Sequence, residues 1–176
     1  MSNVKNDFVM PILVLTVICL ITTFALAFTE QLTTPIIDET NKAIAEAARR
    51  EVLPLADSFE AIEATDLPET VIEAYKASNG TGIVIIAENK GYGGAMRIIV
   101  GIDGDGKIVA TKTLLSSETA GLGSKMAEPK FQSQFIGKDA ALEGVSAVSG
   151  ATISSNCFID MVNDALSTYS IVKGEL

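Results

Sequence analysis

Four hydroxyls and two small residues in the run Val148-Ser149-Gly150-Ala151-Thr152-Ile153-Ser154-Ser155 are the part of this chain best suited to chemistry. The run opens straight into a segment where Phe158, Ile159, Val162, Leu166 and Tyr169 recur at helical spacing. Ser149 or Thr152 then sits where an N-cap belongs, which predicts a helix start whose first backbone N–H groups lack partners. Such a start carries roughly half a positive charge and is suited to a phosphate. Gly150 and Ala151 leave the backbone approachable. The same residues would also serve as a plain helix cap, so the motif by itself does not decide between the two.

Other chemistries are excluded by what is missing. The chain of 176 residues contains no histidine, which removes Ser/His/Asp and Cys/His catalysis, His-based zinc sites and His-ligated haem. Its two cysteines, Cys19 and Cys157, cannot supply a Cys₄ iron–sulfur cluster and read as small buried apolar residues. A net charge of −9 argues against nucleic acid as a partner. Asp103-Gly104-Asp105-Gly106 resembles the start of a calcium loop, but its twelfth position is Leu114 rather than Glu, so calcium is rejected. Gly121-Leu122-Gly123 lies in a loop after a strand pattern, yet no dinucleotide or P-loop fingerprint is completed around it. No residue is proposed as acid, base or nucleophile.

The elements that must position the motif follow from hydrophobic patterning. Phe8–Phe28 is an uncharged run of 21 residues, long enough as a helix to cover a bilayer core of about 30 Å. Ala25-Leu26-Ala27 resembles a signal-peptide cleavage site, but the apolar run exceeds a usual h-region, so a retained anchor is the reading adopted. Lys5 before the span, against Glu30 and Asp38 after it, favours a cytoplasmic N-terminus and an extracytoplasmic remainder. A helix is predicted over 30–53, with Ile37, Ile44, Ala48 and Val52 opposed to Glu39, Lys42, Glu46 and Arg50, and a short helix around Pro68–Lys76. Asn79-Gly80-Thr81 fits a glycosylation sequon and is read as a turn. Strands are predicted at Ile83–Ala87, Ala95–Ile102 and Lys107–Leu115, the last two joined by a hairpin at Asp103–Gly106, and a helix at Glu128–Phe135. The organisation expected is a tail and transmembrane helix (1–29), a helical membrane-proximal connector (30–79) and a ligand-binding domain (80–176).

Ser149-Gly150-Ala151-Thr152, followed by Ile-Ser-Ser, resembles the flavinylation motif of the FMN-binding domain family found in Rnf complex G subunits and Nqr complex C subunits. Four further stretches agree in order. They are Gly91-Tyr92-Gly93-Gly94, Gly101-Ile102-Asp103 with Gly106-Lys107-Ile108, Glu118-Thr119-Ala120-Gly121-Leu122-Gly123, and Phe131 with Phe135-Ile136-Gly137-Lys138. Ser146 stands where the family motif carries an acidic residue, and Ala120 where its loop carries proline. The resemblance implies an α+β fold, a small FMN-binding domain with an antiparallel sheet flanked by helices behind one transmembrane helix. It implies one FMN, esterified through its phosphate to Thr152 by a flavin transferase. Ser149, Gly150, Ala151 and Ser154 would attend the phosphate. Glu118, Thr119, Leu122 and Gly123 would meet the ring, with Lys125 offsetting charge on the reduced flavin. The short length is closer to the Rnf than to the Nqr member of the family, which implies a membrane complex passing electrons between ferredoxin and NAD with Na⁺ or H⁺ translocation. A flavin-tethered shuttle outside Rnf, an Nqr C-like protein, and a flavin-free membrane-anchored assembly protein are the alternatives.

Overall fold

The computed structural model describes residues 3–64 and 66–175. Two compact units emerge, Met1–Ala43 and Ile44–Leu176. One helix, α1 (Asn3–Val52), supplies the described part of the first unit and the opening residues of the second, so no break separates the apolar run from the helix that follows it. Within it Val9–Thr34 is 26 residues at a mean hydropathy of 2.6, long and apolar enough to cross a membrane. Thr16, Thr22, Thr29 and Thr33 each donate their hydroxyl to the carbonyl one turn earlier, at 2.7–2.9 Å, which satisfies these polar groups inside an apolar segment. The side chains of Ile37, Glu39 and Lys42 lie outside those described.

The second unit is built on a five-stranded antiparallel meander: β1 (Phe59–Ala61), β2 (Val71–Ala77), β3 (Gly82–Lys90), β4 (Ala95–Asp103) and β5 (Ile108–Ser116), side by side in chain order. Period-two alternation gives the sheet two apolar faces. Ile83, Ile85, Met96, Ile98 and Val100 face the last long helix, α3 (Thr152–Val172), and meet Phe158, Met161, Val162 and Ala165 in the main core. Val84, Ile86 and Ile99 point the other way and are covered by Ala48, Val52 and Leu53, from the end of α1 and the residue after it. This two-sided cover explains why Gly82–Ala87 is buried without interruption. Gly101 in β4 permits the close approach on that face. A Cβ there would run into the Val52 carbonyl oxygen and stand 2.8 Å from the carbonyl carbon.

Three sequence expectations are corrected. Pro68–Lys76 is not helical: Val71-Ile72-Glu73-Ala74-Tyr75 forms β2, paired from Val71↔Ala87 to Lys76↔Ile83. Sheet pairing outweighs the local helical spacing, as is common for short β-branched and aromatic stretches. The helix at Glu128–Phe135 is split into α2 (Pro129–Gln132) and a 3₁₀ turn at Ser133–Phe135, after an earlier 3₁₀ turn at Gly123–Ala127. The tighter winding brings Phe131 and Phe135 onto Phe158, with ring centroids 5.2–5.6 Å apart across the three pairs. Neither Ser149 nor Thr152 caps α3; the cap position is Ala151, which has no side-chain bond to offer. The Asp103–Gly106 hairpin is as expected, with Asp103 Oδ1 accepting from the N–H groups of Asp105 and Lys107.

Candidate functional site

Without a capping hydroxyl, the turn before α3 is held from the helix side. Ser155 is fully buried; its Oγ accepts from the Val148 N–H and donates to the Ala151 carbonyl, each at 2.9 Å. The Ala151 N–H closes the turn on the Val148 carbonyl at 3.0 Å, and Gly150 takes the positive φ (+81°) that its third position needs. The first α3 N–H with an acceptor in this turn is that of Ser155, bonded to the Ala151 carbonyl at 2.9 Å. Among the described residues, the N–H groups of Thr152, Ile153 and Ser154 have no protein acceptor. They form the positive end of a 21-residue helix.

Thr152 is exposed at this point, whereas Ser154 is 2% exposed. Both line an open cleft of about 380 Å³, together with Gly150, Ala151 and Ile153. That volume falls within the roughly 300–1,000 Å³ usual for small-molecule sites. The other wall comes from the loop after β5: Glu118, Thr119, Leu122 and Gly123, joined by Tyr92 from the loop between β3 and β4. Leu122 rests over the turn, its Cδ2 at an ordinary contact distance of 3.6 Å from where a Gly150 Cβ would be.

Glu118 organises the second wall. Its Oε2 accepts from the Gly93 N–H at 3.1 Å, while Oε1 is buried with no hydrogen-bond partner. Glycines surround the carboxylate: a Cβ on Gly91 or Gly123 would overlap its oxygens, and one on Gly93 would stand 2.9 Å from the Glu118 Cα. Cys157, behind the helix start, has its thiol pushed up to about 11, first by burial and then by the Glu118 and Asp160 carboxylates. It stays a neutral thiol near neutral pH.

Eight of the ten residues singled out from the sequence therefore meet at one cleft: Glu118, Thr119, Leu122, Gly123, Gly150, Ala151, Thr152 and Ser154. Ser149 and Lys125 are not part of its lining; Ser149 is exposed on the turn and Lys125 is half-buried on the 3₁₀ turn after Leu122. Sequence reasoning missed Tyr92, Ile153 and the bracing role of Ser155. A serine on the apolar stripe of Phe158 and Val162 was the available signal, because a buried hydroxyl needs partners. Ser146, in place of an acidic residue, donates from its N–H and its hydroxyl to Gln134 Oε1, both at 3.1 Å.

Residues 91–167, which take in the whole cleft, match the family model of the FMN-binding domain. The chain is 34% identical over 185 residues to the G subunit of the Na⁺-translocating ferredoxin:NAD⁺ oxidoreductase complex of Acetobacterium woodii, covering 89% of each chain. It is 28% identical over 170 residues to the G subunit of the proton-translocating ferredoxin:NAD⁺ oxidoreductase complex of Clostridium ljungdahlii, covering 91% of this chain and 90% of that one. Among solved structures, Shewanella oneidensis NqrC superposes with a TM-score of 0.51 at 16% identity, over 72% of each chain, which is agreement of fold. The α+β architecture, the FMN-domain match and the near full-length similarity converge: this chain belongs to the family of ion-translocating oxidoreductase complex G subunits, the Rnf-type electron-transport subunits.

Proposed function

We propose that the chain carries one FMN, joined by a phosphoester to the Thr152 hydroxyl, and relays electrons through it on the extracytoplasmic side of an Rnf-type complex. The observation that carries this reading is an exposed Thr152 at the head of a 21-residue helix whose first N–H groups are free, opening on a cleft of about 380 Å³. The residues present fit the group. Free amides and the helix dipole suit the singly charged phosphodiester that this linkage makes, and Gly150 with Ala151 leaves it room. Glu118, Thr119, Leu122 and Gly123 on the opposite wall are available to a ring system. Bound FMN would supply redox chemistry that no side chain in the cleft can.

The chain's own residues then have distinct tasks. Thr152 fixes one end of the cofactor, so retention needs no noncovalent affinity. The backbone at 152–154 neutralises phosphate charge, helped by the hydroxyl of Ser154, while Ser149 stands on the adjoining turn outside the lining. Thr119 and Gly123 offer polar groups to the ring edge, and Leu122 offers an apolar face. Lys125 adds positive potential from behind the loop. An open cleft suits a relay, because the ring must come close to a neighbouring protein of the complex. The 26-residue apolar span supports a single-pass anchor, and the Lys5 against Glu30 and Asp38 asymmetry supports a cytoplasmic N-terminus. Attachment would require a flavin transferase and a flavin dinucleotide as donor: the Thr152 Oγ–P bond forms as the donor's phosphoanhydride bond breaks, the nucleoside monophosphate leaves, and the hydroxyl proton is released. The names of the two relatives support the other proteins of a ferredoxin:NAD⁺ oxidoreductase complex as partners and Na⁺ or H⁺ as the coupled ion.

The test is the intact mass of the full chain purified after co-expression with a flavin transferase. One added FMN less one water is expected, lost in Thr152→Ala. A parent chain of unmodified mass, or flavin that persists in T152A, overturns the assignment.

A further inference from the structure

The loop between β3 and β4, Gly91-Tyr92-Gly93-Gly94, carries a single side chain. Gly91 donates its N–H to the Gly94 carbonyl at 2.9 Å, closing a tight turn. Its backbone lies flat on the strand-to-loop segment beside it: a Cβ on Gly93 would stand 2.7 Å from the Ser117 carbonyl oxygen, and one on Gly94 2.8 Å from the Ser117 Cβ. Gly93 is held by the Glu118 carboxylate, which keeps its other oxygen buried and unpaired. A buried unpaired oxygen destabilises the fold, so a clamp of this kind is more than the loop needs merely to close. What the clamp holds up is the Tyr92 ring, 72% exposed and lining the cleft at whose other side Thr152 stands. Leu122 and Ile153, 45% and 59% exposed, are the other large apolar side chains of that lining. Three such groups around one cleft form an uncovered apolar rim that a planar aromatic ligand would cover.

We propose that Tyr92 is the aromatic wall of the flavin site, its ring stacking on the isoalloxazine of an FMN anchored at Thr152, with Glu118 as its positioning residue through the Gly93 N–H. The proposal rests on the Thr152 reading. Offset stacking of two aromatic systems, with centroids about 4.5–7 Å apart, adds to the burial of both faces. A phenol in contact with the ring also quenches flavin emission by electron donation to the excited state and return, which a phenyl ring of the same shape does not do.

The experiment measures emission per bound flavin in the full-length chain after co-expression with a flavin transferase, with intact mass recorded for every variant. The parent should be dim, Tyr92→Phe and Tyr92→Ala severalfold brighter, and Tyr92→Trp dim again. Glu118→Ala should brighten the flavin while leaving Tyr92 in place, and Glu118→Gln, which can still accept from Gly93, should fall between. Melting temperatures of the Tyr92 variants prepared without the flavin transferase should match that of the parent prepared the same way, because the ring is then exposed. Flavin present in every chain but equally bright in the parent, Y92F and Y92A overturns the role of Tyr92 and leaves Thr152 untouched. A parent chain without the flavin mass overturns the Thr152 reading and this one together.

Discussion

Ser155→Ala separates the architecture of the site from its chemistry. The substitution removes the acceptor of the Val148 N–H and one of two donors to the Ala151 carbonyl, which keeps the Ser155 N–H at 2.9 Å. Leaving the part-buried Val148 N–H without its partner costs on the order of 1–2 kcal/mol, and the lost bond to an already bonded carbonyl adds less than about 1 kcal/mol. Alanine returns roughly 0.5 kcal/mol through its better helix propensity. The net expectation is a loss of about 2 kcal/mol. For a folded unit of this size that corresponds to a drop of about 8 °C in Tm, at roughly 4 °C per kcal/mol. Circular dichroism melting of the full chain in detergent reads it, beside intact mass. S155A should melt early and carry less flavin, because the turn that presents Thr152 has lost its brace. T152A should carry none, and should melt with the parent when both are prepared without the flavin transferase, because Thr152 is exposed. An S155A chain with Tm within about 1 °C of the parent would refute the bracing role.

Two further outcomes follow from packing and charge. Gly101→Ala forces a methyl into the backbone of Val52, which cannot yield as a side-chain tip would, so a loss of at least about 3 kcal/mol is expected in urea denaturation. Cys157 gives a pH dependence of definite sign: an unfolded thiol ionises near about 8.5 and the folded one near about 11. The unfolded chain therefore loses its proton first, and stability falls as pH rises through that window. Denaturation midpoints followed over roughly pH 7 to 11 should decline, and Cys157→Ser should flatten the decline.

The strands β3, β4 and β5 were legible because β3 and β4 are short runs rich in isoleucine and valine and β5 mixes apolar residues with threonine and lysine, with the Asp103–Gly106 turn carrying its own chemistry between the last two. α3 was legible for the same reason at helical period. β2 was not, since Val71–Ala77 owes its extended form to pairing with β3, a contact that no local pattern announces. The site was legible in its residue types but not in its mechanics. Ser149 and Thr152 satisfy every local rule for a cap, yet α3 has no capping side chain; the inward-facing Ser155 braces the turn instead and Thr152 stays exposed. Tyr92 escaped notice because nothing in a glycine-flanked tyrosine says which cleft it borders. The resemblance implies that the Glu118–Gly123 loop lies beside the ring, and the bond from Gly93 to Glu118 emerges only once two loops distant in sequence lie side by side.

The cover that Ala48, Val52 and Leu53 give to Val84, Ile86 and Ile99 bears on how this protein can be handled at the bench. A truncation intended to free the water-exposed portion looks safest just after the long helix, at residue 53 or beyond, yet such a cut would strip one whole side of the meander and leave isoleucines and valine bare to solvent. Cutting upstream of residue 44 keeps the lid attached. The closing turns of α1 thus work as part of the globular body, and whoever trims the tether must leave them behind.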